Sequence, residues 1–188
     1  MNGRTPTFRA RAVLLALAVA PGVALAETLT VGDFRFPVPS TWAVPAGADP
    51  VQVVPAGAAS PQTVVVLPAA TTPAPGADLS AVLAEGWRHL LESIGTTEVS
   101  RAPEESLTTA GGRPAAVARG SYRGVDGREY QAAIYTVQNG DTFSFVYFFA
   151  GEPADFDRFL PSVTAMVRGA QPTSAVAPGP AAGAAQPR

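Results

Sequence analysis

Apolar and polar positions along the chain follow two spacings, and the changeovers between them fall at turn residues. Leu29, Val31, Phe34 and Phe36 share one face if Gly32-Asp33 is a two-residue hairpin turn pairing Val31 with Phe34 and Leu29 with Phe36. The same arrangement recurs downstream. Gly111-Gly112 separates residues 104–110 from 113–123, Asp126-Gly127 separates the latter from 128–138, and Asn139-Gly140 leads into 141–150. A four-strand antiparallel meander is the expected result. Its last strand, TFSFVYFFA, sends Phe143, Phe145, Tyr147 and Phe149 one way and Val146 and Phe148 the other, so both faces call for cover. The Asn139-Gly140 turn is expected to place Ala132 opposite Tyr147 and Ala133 opposite Val146, small residues against large ones.

Two stretches carry the helical spacing instead. Leu79, Val82, Leu83, Trp87, Leu90, Leu91 and Ile94 form a stripe that predicts a helix over 79–94, with Asp78 as its cap and Gly95 at its end. A second helix is expected from about residue 154, presenting Phe156, Phe159, Leu160, Val163, Met166 and Val167. Pro161 falls inside that pattern and predicts a kink, or a first turn that ends before a main helix restarts. Between the hairpin and the first helix, VQVV from Val51 and QTVVVL from Gln62 predict two more strands in Pro- and Ala-rich surroundings. Pro37 and Pro39 in FRFPVPSTW remove backbone donors, so that strand is expected at a sheet edge or at its own end, with Trp42 folded back onto the core.

The two ends of the chain read differently. Arg4, Arg9 and Arg11 precede the apolar run VLLALAVA, Pro21-Gly22 break it, and Ala24-Leu25-Ala26 has the form of a cleavage site, so residues 1–26 predict a signal peptide cut after Ala26. The apolar run is shorter than the roughly 20 residues a bilayer span needs. No stable membrane anchor is expected after cleavage, no twin arginine is present, and no cysteine offers a lipoprotein attachment point. A periplasmic or secreted protein follows. Residues 169–188 are almost all Ala, Pro, Gly and small polar residues and predict a disordered tail, leaving one domain over 27–168.

Composition removes whole classes of function. Zero cysteines exclude disulfides, zinc-thiolate sites, iron-sulfur clusters and thiol nucleophiles. Removing residues 1–26 leaves 15 carboxylates against 10 arginines, a net charge of about −5, and the chain has no lysine. With no basic run, nucleic-acid binding has no electrostatic footprint. Heavy use of Ala, Arg, Gly and Pro without lysine suggests a GC-rich bacterial source.

The order of elements is a hairpin ending in Pro-x-x-Trp, two strands, a helix, a four-strand meander and a C-terminal helix. With FRFPVPSTW near the start, GGRPAAVARGSYR in the middle and FDRFLPSVTAMV at the end, it resembles the PsbP-like superfamily. That group includes the photosystem II extrinsic PsbP proteins, the Ran-binding Mog proteins and the bacterial DcrB-like proteins. The resemblance implies an α+β fold, an α/β/α sandwich around a central antiparallel sheet of about six strands, and mostly non-enzymatic, protein-binding members. It carries over no site residue.

Candidate chemistry is sparse. His89 is the sole histidine, and no Gly-x-Ser-x-Gly elbow accompanies it. Glu85, His89 and Glu92 share one helix face and could hold a divalent ion, but Arg88 among them reads as the centre of ordinary ion pairs. Glu104 and Glu105 point to opposite faces of a strand, and Asp155 and Asp157 sit where carboxylates meet a helix N-terminus. No catalytic residue, metal site or cofactor is assigned. The Phe143, Phe145, Tyr147, Phe149 stripe is either core under a helix or the lining of an apolar cavity. Trp42, Trp87, Tyr122, Tyr130 and Tyr135 are the candidate partner or ligand surface. The expectation is an exported non-enzymatic domain that binds a protein partner in the cell envelope or stabilises an assembly there. The alternative is a carrier of a small apolar ligand or lipid in a cleft between sheet and helix near Trp42, Trp87 and the stripe, predicting a pocket of about 300 Å³ or more. A hydrolase would need Ser or carboxylate groups beside His89.

Overall fold

A computed structural model describes residues 25–173. The signal segment up to residue 24 and the tail beyond 173 lie outside the described residues. Strands β1 (Leu25–Val31) and β2 (Phe34–Pro39) form the first hairpin, with Val31 opposite Phe34 and Leu29 opposite Phe36 as the turn chemistry predicts. Strand β1 begins two residues ahead of the expected cleavage point, and the ladder from Glu27↔Val38 onward lies beyond it. Next come β3 (Val51–Val53), β4 (Val64–Leu67), β5 (Thr72–Pro73), α1 (Leu79–Ser93) and β6 (Thr97–Arg101). The meander is β7 (Glu105–Thr108), β8 (Pro114–Arg123), β9 (Glu129–Asn139) and β10 (Thr142–Ala150). Helix α2 (Pro153–Arg168) and β11 (Gln171–Pro172) complete the described chain.

The fold is α+β, as read from the sequence, but with two sheets. The larger has eight strands in the order β3-β4-β10-β9-β8-β6, with β5 added on β10 and β7 on β8, and each of these pairs is antiparallel. The smaller is β1-β2-β11. Strand β2 is therefore a middle strand and not an edge. The two prolines still limit it, because β11 pairs only with Phe34 and Arg35, ahead of Pro37. Residues 169–173, assigned to the tail from composition, belong to the fold: Ala170 is buried, and the Thr173 backbone N–H donates to the Asp33 carbonyl at 2.8 Å.

The β9–β10 register differs from expectation by two residues. Gly140 takes up φ 64° and forms the loop with Asp141, so Asn139 pairs with Thr142 instead of sitting in the turn. Tyr147 then faces Ile134, while Ala132 and Ala133 face Phe149 and Phe148. A slip of two keeps every side chain on its predicted face.

Each face of the large sheet carries one helix and its own core. Helix α1 packs on β8, β9 and β6, burying Leu83, Trp87 and Leu90 against Ala116, Ala118, Ala132 and Ile134. Helix α2 and the β1–β2 hairpin cover the other face, where Phe34, Phe36, Val38, Phe148, Phe156, Phe159 and Val163 form the larger core. The α1 start is capped as predicted, with the Asp78 carboxylate accepting from the backbone of Ser80 and Ala81 at 3.0 and 3.2 Å. Helix α2 runs as one helix through Pro161, so the expected restart does not occur; tertiary packing on both sides of the proline holds the helix where local sequence would break it.

Gly120 on β8 lies close beneath the Trp87 ring of α1 and beside β6. A Cβ there would overlap the Ser100 carbonyl oxygen and come within 2.9 Å of the Trp87 ring. Gly120→Ala is expected to lower stability by about 2 kcal/mol, measured by urea denaturation, because both neighbours are held by packing.

Candidate functional site

The α1 side of the large sheet is not fully covered. Phe145, Tyr147 and Phe149, successive residues on that face of β10, are half-buried, whereas Val146 and Phe148 on the opposite face are fully buried. The three rings stack nearly parallel, with centroids 5.9 and 6.4 Å apart and interplanar angles of 15° and 13°. This ladder is the floor of a trough, and α1 is one wall. At the middle of α1 the helix comes close to the floor, since a Cβ on Gly86 would lie 2.6 Å from the Phe145 ring.

Two cavities of about 580 Å³ each lie along the ladder. The proximal one is bounded by Phe145 and Tyr147 below, by Ala81, Val82, Glu85, Gly86 and His89 of α1, and by a strap from Pro68 to Ala74. The distal one continues from Phe149 and is lined by Ile94 and Thr96 after α1, Gln62 just before β4 and Val64 at its start, and Tyr122, Val125, Asp126 and Tyr130 around the β8–β9 turn.

The distal end is organised by a hydrogen-bonded aromatic pair. Tyr122 stacks on Tyr130 with centroids 5.6 Å apart, directly opposite in the β8–β9 ladder. The Tyr130 hydroxyl donates to Asp126 Oδ2 at 2.6 Å, and Asp126 Oδ1 accepts from the Arg128 backbone at 3.0 Å. Those two bonds hold the Asp126 carboxyl below its ordinary range, so it is ionised at neutral pH. The Tyr130 phenol is raised by the hydrogen bond to Asp126 and by burial; the Tyr122 phenol is pushed up to about 12 by burial, then by Tyr130 and Asp126. Both phenols are therefore uncharged at neutral pH. At the proximal end Arg88 bonds to Glu85 and Glu92 together, so the helix-face trio of Glu85, His89 and Glu92 is organised around a guanidinium. Its Nε donates to Glu85 at 3.0 Å, and the resulting hydrogen bond lowers the Glu85 pKa.

The five aromatics singled out from the sequence divide among three places. Tyr122 and Tyr130 come together at the distal end of the trough. Trp87 lies beneath α1 in the adjoining core, 2% exposed, its indole N–H donating to Glu98 at 2.5 Å and Arg101 stacked over its ring at 5.8 Å. Trp42 and Tyr135 are on the opposite side of the sheet. Trp42 is buried edge-on against Phe159 at 6.0 Å, and Tyr135 is fully buried with its hydroxyl 2.7 Å from Thr164 of α2. A cleft uniting Trp42, Trp87 and the stripe does not form, because the sheet stands between the tryptophans and both are packed. Sequence reasoning passed over Gln62, Val64, Gly86, Ile94 and the 68–74 strap. Gly86 was the available signal, a glycine in the middle of an otherwise strong helix facing the bulkiest strand.

Among the described residues there is no group of three or more His, Cys, Asp or Glu side chains arranged to hold a metal ion, and no helix is long and apolar enough to cross a membrane.

No protein-family model matches the chain, and no curated protein matches it. Solved structures do. The crystal structure of LpqN, involved in cell envelope biogenesis of Mycobacterium tuberculosis, is similar over 73% of this chain and 82% of that one, with 17% identity and a TM-score of 0.52. The solution structure of cyanobacterial PsbP from Synechocystis is similar over 83% of this chain and 98% of that one, with 12% identity and a TM-score of 0.46. A Pseudomonas aeruginosa protein of unknown function is similar over 75% of this chain and 98% of that one, with 12% identity and a TM-score of 0.40. The likeness to LpqN is one of fold.

Proposed function

We propose that the chain is an exported, non-catalytic binding domain that holds a small apolar ligand in the trough over Phe145, Tyr147 and Phe149. The observation that carries this reading is the half-buried ring ladder with a cavity of about 580 Å³ at each end. Each cavity is within the roughly 300–1,000 Å³ range of ligand sites. A sheet face that served only as core would be filled, as the opposite face of the same strand is. An envelope setting, as for LpqN, accords with the amino-terminal segment expected to direct export.

Calorimetric titration of the mature chain with 1-dodecanol tests the reading. Saturable binding at one site is expected. Ala81→Trp, an exposed position on the proximal wall, should weaken it at least tenfold while leaving the thermal midpoint within about 3 °C. Absence of binding to the unsubstituted protein, or equal binding by Ala81→Trp, would refute it.

The second reading, a protein-binding domain, is favoured by a separate observation. Val125 at the β8–β9 turn is 90% exposed and Val99 on the β6 edge is 44% exposed, two large apolar side chains left in solvent on the same margin of the sheet. Cross-linking from a photoreactive residue at position 125 to a specific envelope protein is expected on this reading, and labelling of solvent alone counts against it.

A further inference from the structure

We propose that the trough selects ligands with a cationic head on an apolar body, such as an alkylammonium, and discriminates against carboxylates and other anions. The proposal rests on the trough being a ligand site and adds the charge of what it takes. Its basis is the arrangement of charge at the two ends of the ladder. At the proximal end, Glu85 and Glu92 share Arg88, so three charged groups sum to one negative charge. At the distal end, Arg128 pairs with Glu152 at 2.9 Å and carries Asp126 on its backbone N–H, leaving one negative charge again. Among the described residues no arginine lines either cavity, and His89 is the sole basic side chain in the two linings.

A fatty acid or other anionic amphiphile would therefore bring its charge to an end already negative, with no arginine among the described lining residues to receive it. A cation meets the opposite situation. Aromatic faces attract cations through their ring quadrupole, by about 0.5–1 kcal/mol at exposed sites and more when desolvated. Tyr122 and Phe149 present such faces beside the Asp126 carboxylate, and the Arg128 guanidinium already lies over the Tyr130 ring at 5.8 Å, a cation on an aromatic face at this same end. At the other end Phe145 and Tyr147 do so below Glu85. The mature chain's net charge of about −5 acts in the same direction at longer range.

The test compares three ligands of one chain length, dodecyltrimethylammonium, 1-dodecanol and dodecanoate, each titrated below its micelle concentration at low salt. The expected order is ammonium tightest, alcohol next and carboxylate weakest, with about tenfold between ammonium and alcohol. Asp126→Asn should reduce the ammonium-to-alcohol ratio about threefold, and Glu85→Gln, on the exposed face of α1, should reduce it independently. Raising the ionic strength should narrow the ratio for the unsubstituted protein. A carboxylate that binds as well as the alcohol, or an ammonium no tighter than the alcohol, overturns the charge selection while the trough remains a ligand site. Failure of all three ligands to bind removes the trough reading itself.

Discussion

Phe148→Ala should lose about 4 kcal/mol of stability in urea denaturation, whereas Phe149→Ala, one residue further along the same strand, should lose about 1 kcal/mol. The two rings point to opposite faces of β10. Phe148 is fully buried and stacks on Phe156 of α2 at 5.4 Å and 12°, inside the larger core with Val65, Val146 and Ala150. Its removal leaves a void that the strands on either side, β4 and β9, cannot close without losing their ladders. Phe149 is half-buried beside the distal cavity and already meets open space, so removing it creates little new void. Ligand binding should show the reverse order, lost in Phe149→Ala and retained by the folded fraction of Phe148→Ala. Equal stability losses for the two variants would mean that the α1-side face is ordinary core.

The second large effect concerns Asp155, and it depends on pH. Its carboxylate is 2% exposed and accepts from the backbone N–H groups of Ala59 and Ser60 at 3.0 Å and from the Thr63 hydroxyl at 2.7 Å. Sequence position suggested a charge serving the α2 N-terminus, and the side chain instead holds the 59–63 loop. Arg158 one turn later fastens the same loop through the Gly57 carbonyl at 2.9 Å. Burial alone would raise the Asp155 pKa; the bonds from Ala59, Thr63 and Ser60, with Arg158 nearby, outweigh it and lower the pKa below the ordinary carboxylate value. A carboxyl with a lowered folded pKa stabilises fully above its unfolded value, near 4, and loses that contribution as pH falls through the folded value. Asp155→Asn presents an amide donor to three donors and should cost about 3 kcal/mol at pH 7. The difference from the unsubstituted protein should shrink below about pH 4, where the native carboxyl also takes up a proton. A difference independent of pH down to 2 would show that charge is not what the loop requires. Gln62, at the end of this loop, lines the distal cavity, so the same substitution should weaken ligand binding at neutral pH.

Much of the fold was legible because its long strands end in turns with strong local chemistry. Gly32-Asp33 set the first hairpin register, and the alternation in TFSFVYFFA identified a strand needing cover on both faces. The elements that escaped notice lack such signals. Strand β6 reads TEVSR, is almost wholly exposed and owes its existence to the unpaired upper half of β8. Strand β11 is two residues long, one of them proline, and forms because Ala170 is buried and Thr173 reaches Asp33. The site was half legible. That β10 carried an aromatic stripe was plain from the sequence, and so were Tyr122 and Tyr130. Whether the stripe became core or trough depended on how many strands α1 spans. That is a tertiary quantity: a helix about 10–12 Å across covers about two strands spaced about 4.8 Å apart, and α1 settles mainly on β8 and β9 with a lesser contact to β6, leaving most of β10 beyond the approach of Gly86 to Phe145. Tyr135 was misplaced for a related reason, since Thr164 satisfies its hydroxyl within the α2 layer. Trp42 packs on Phe159 of the same helix, folded back onto the core as its place after the strand predicts.

The direct measurement is a solution NMR titration with 1-dodecanol, following the aromatic side chains and the two indole N–H signals. Shifts are expected at Phe145, Tyr147, Phe149, Tyr122 and Tyr130, a smaller one at Trp87 beneath α1, and none at Trp42, Tyr135 or Phe148 across the sheet. Shifts confined to Trp42 and Tyr135, or spread evenly over both faces, would contradict the trough reading.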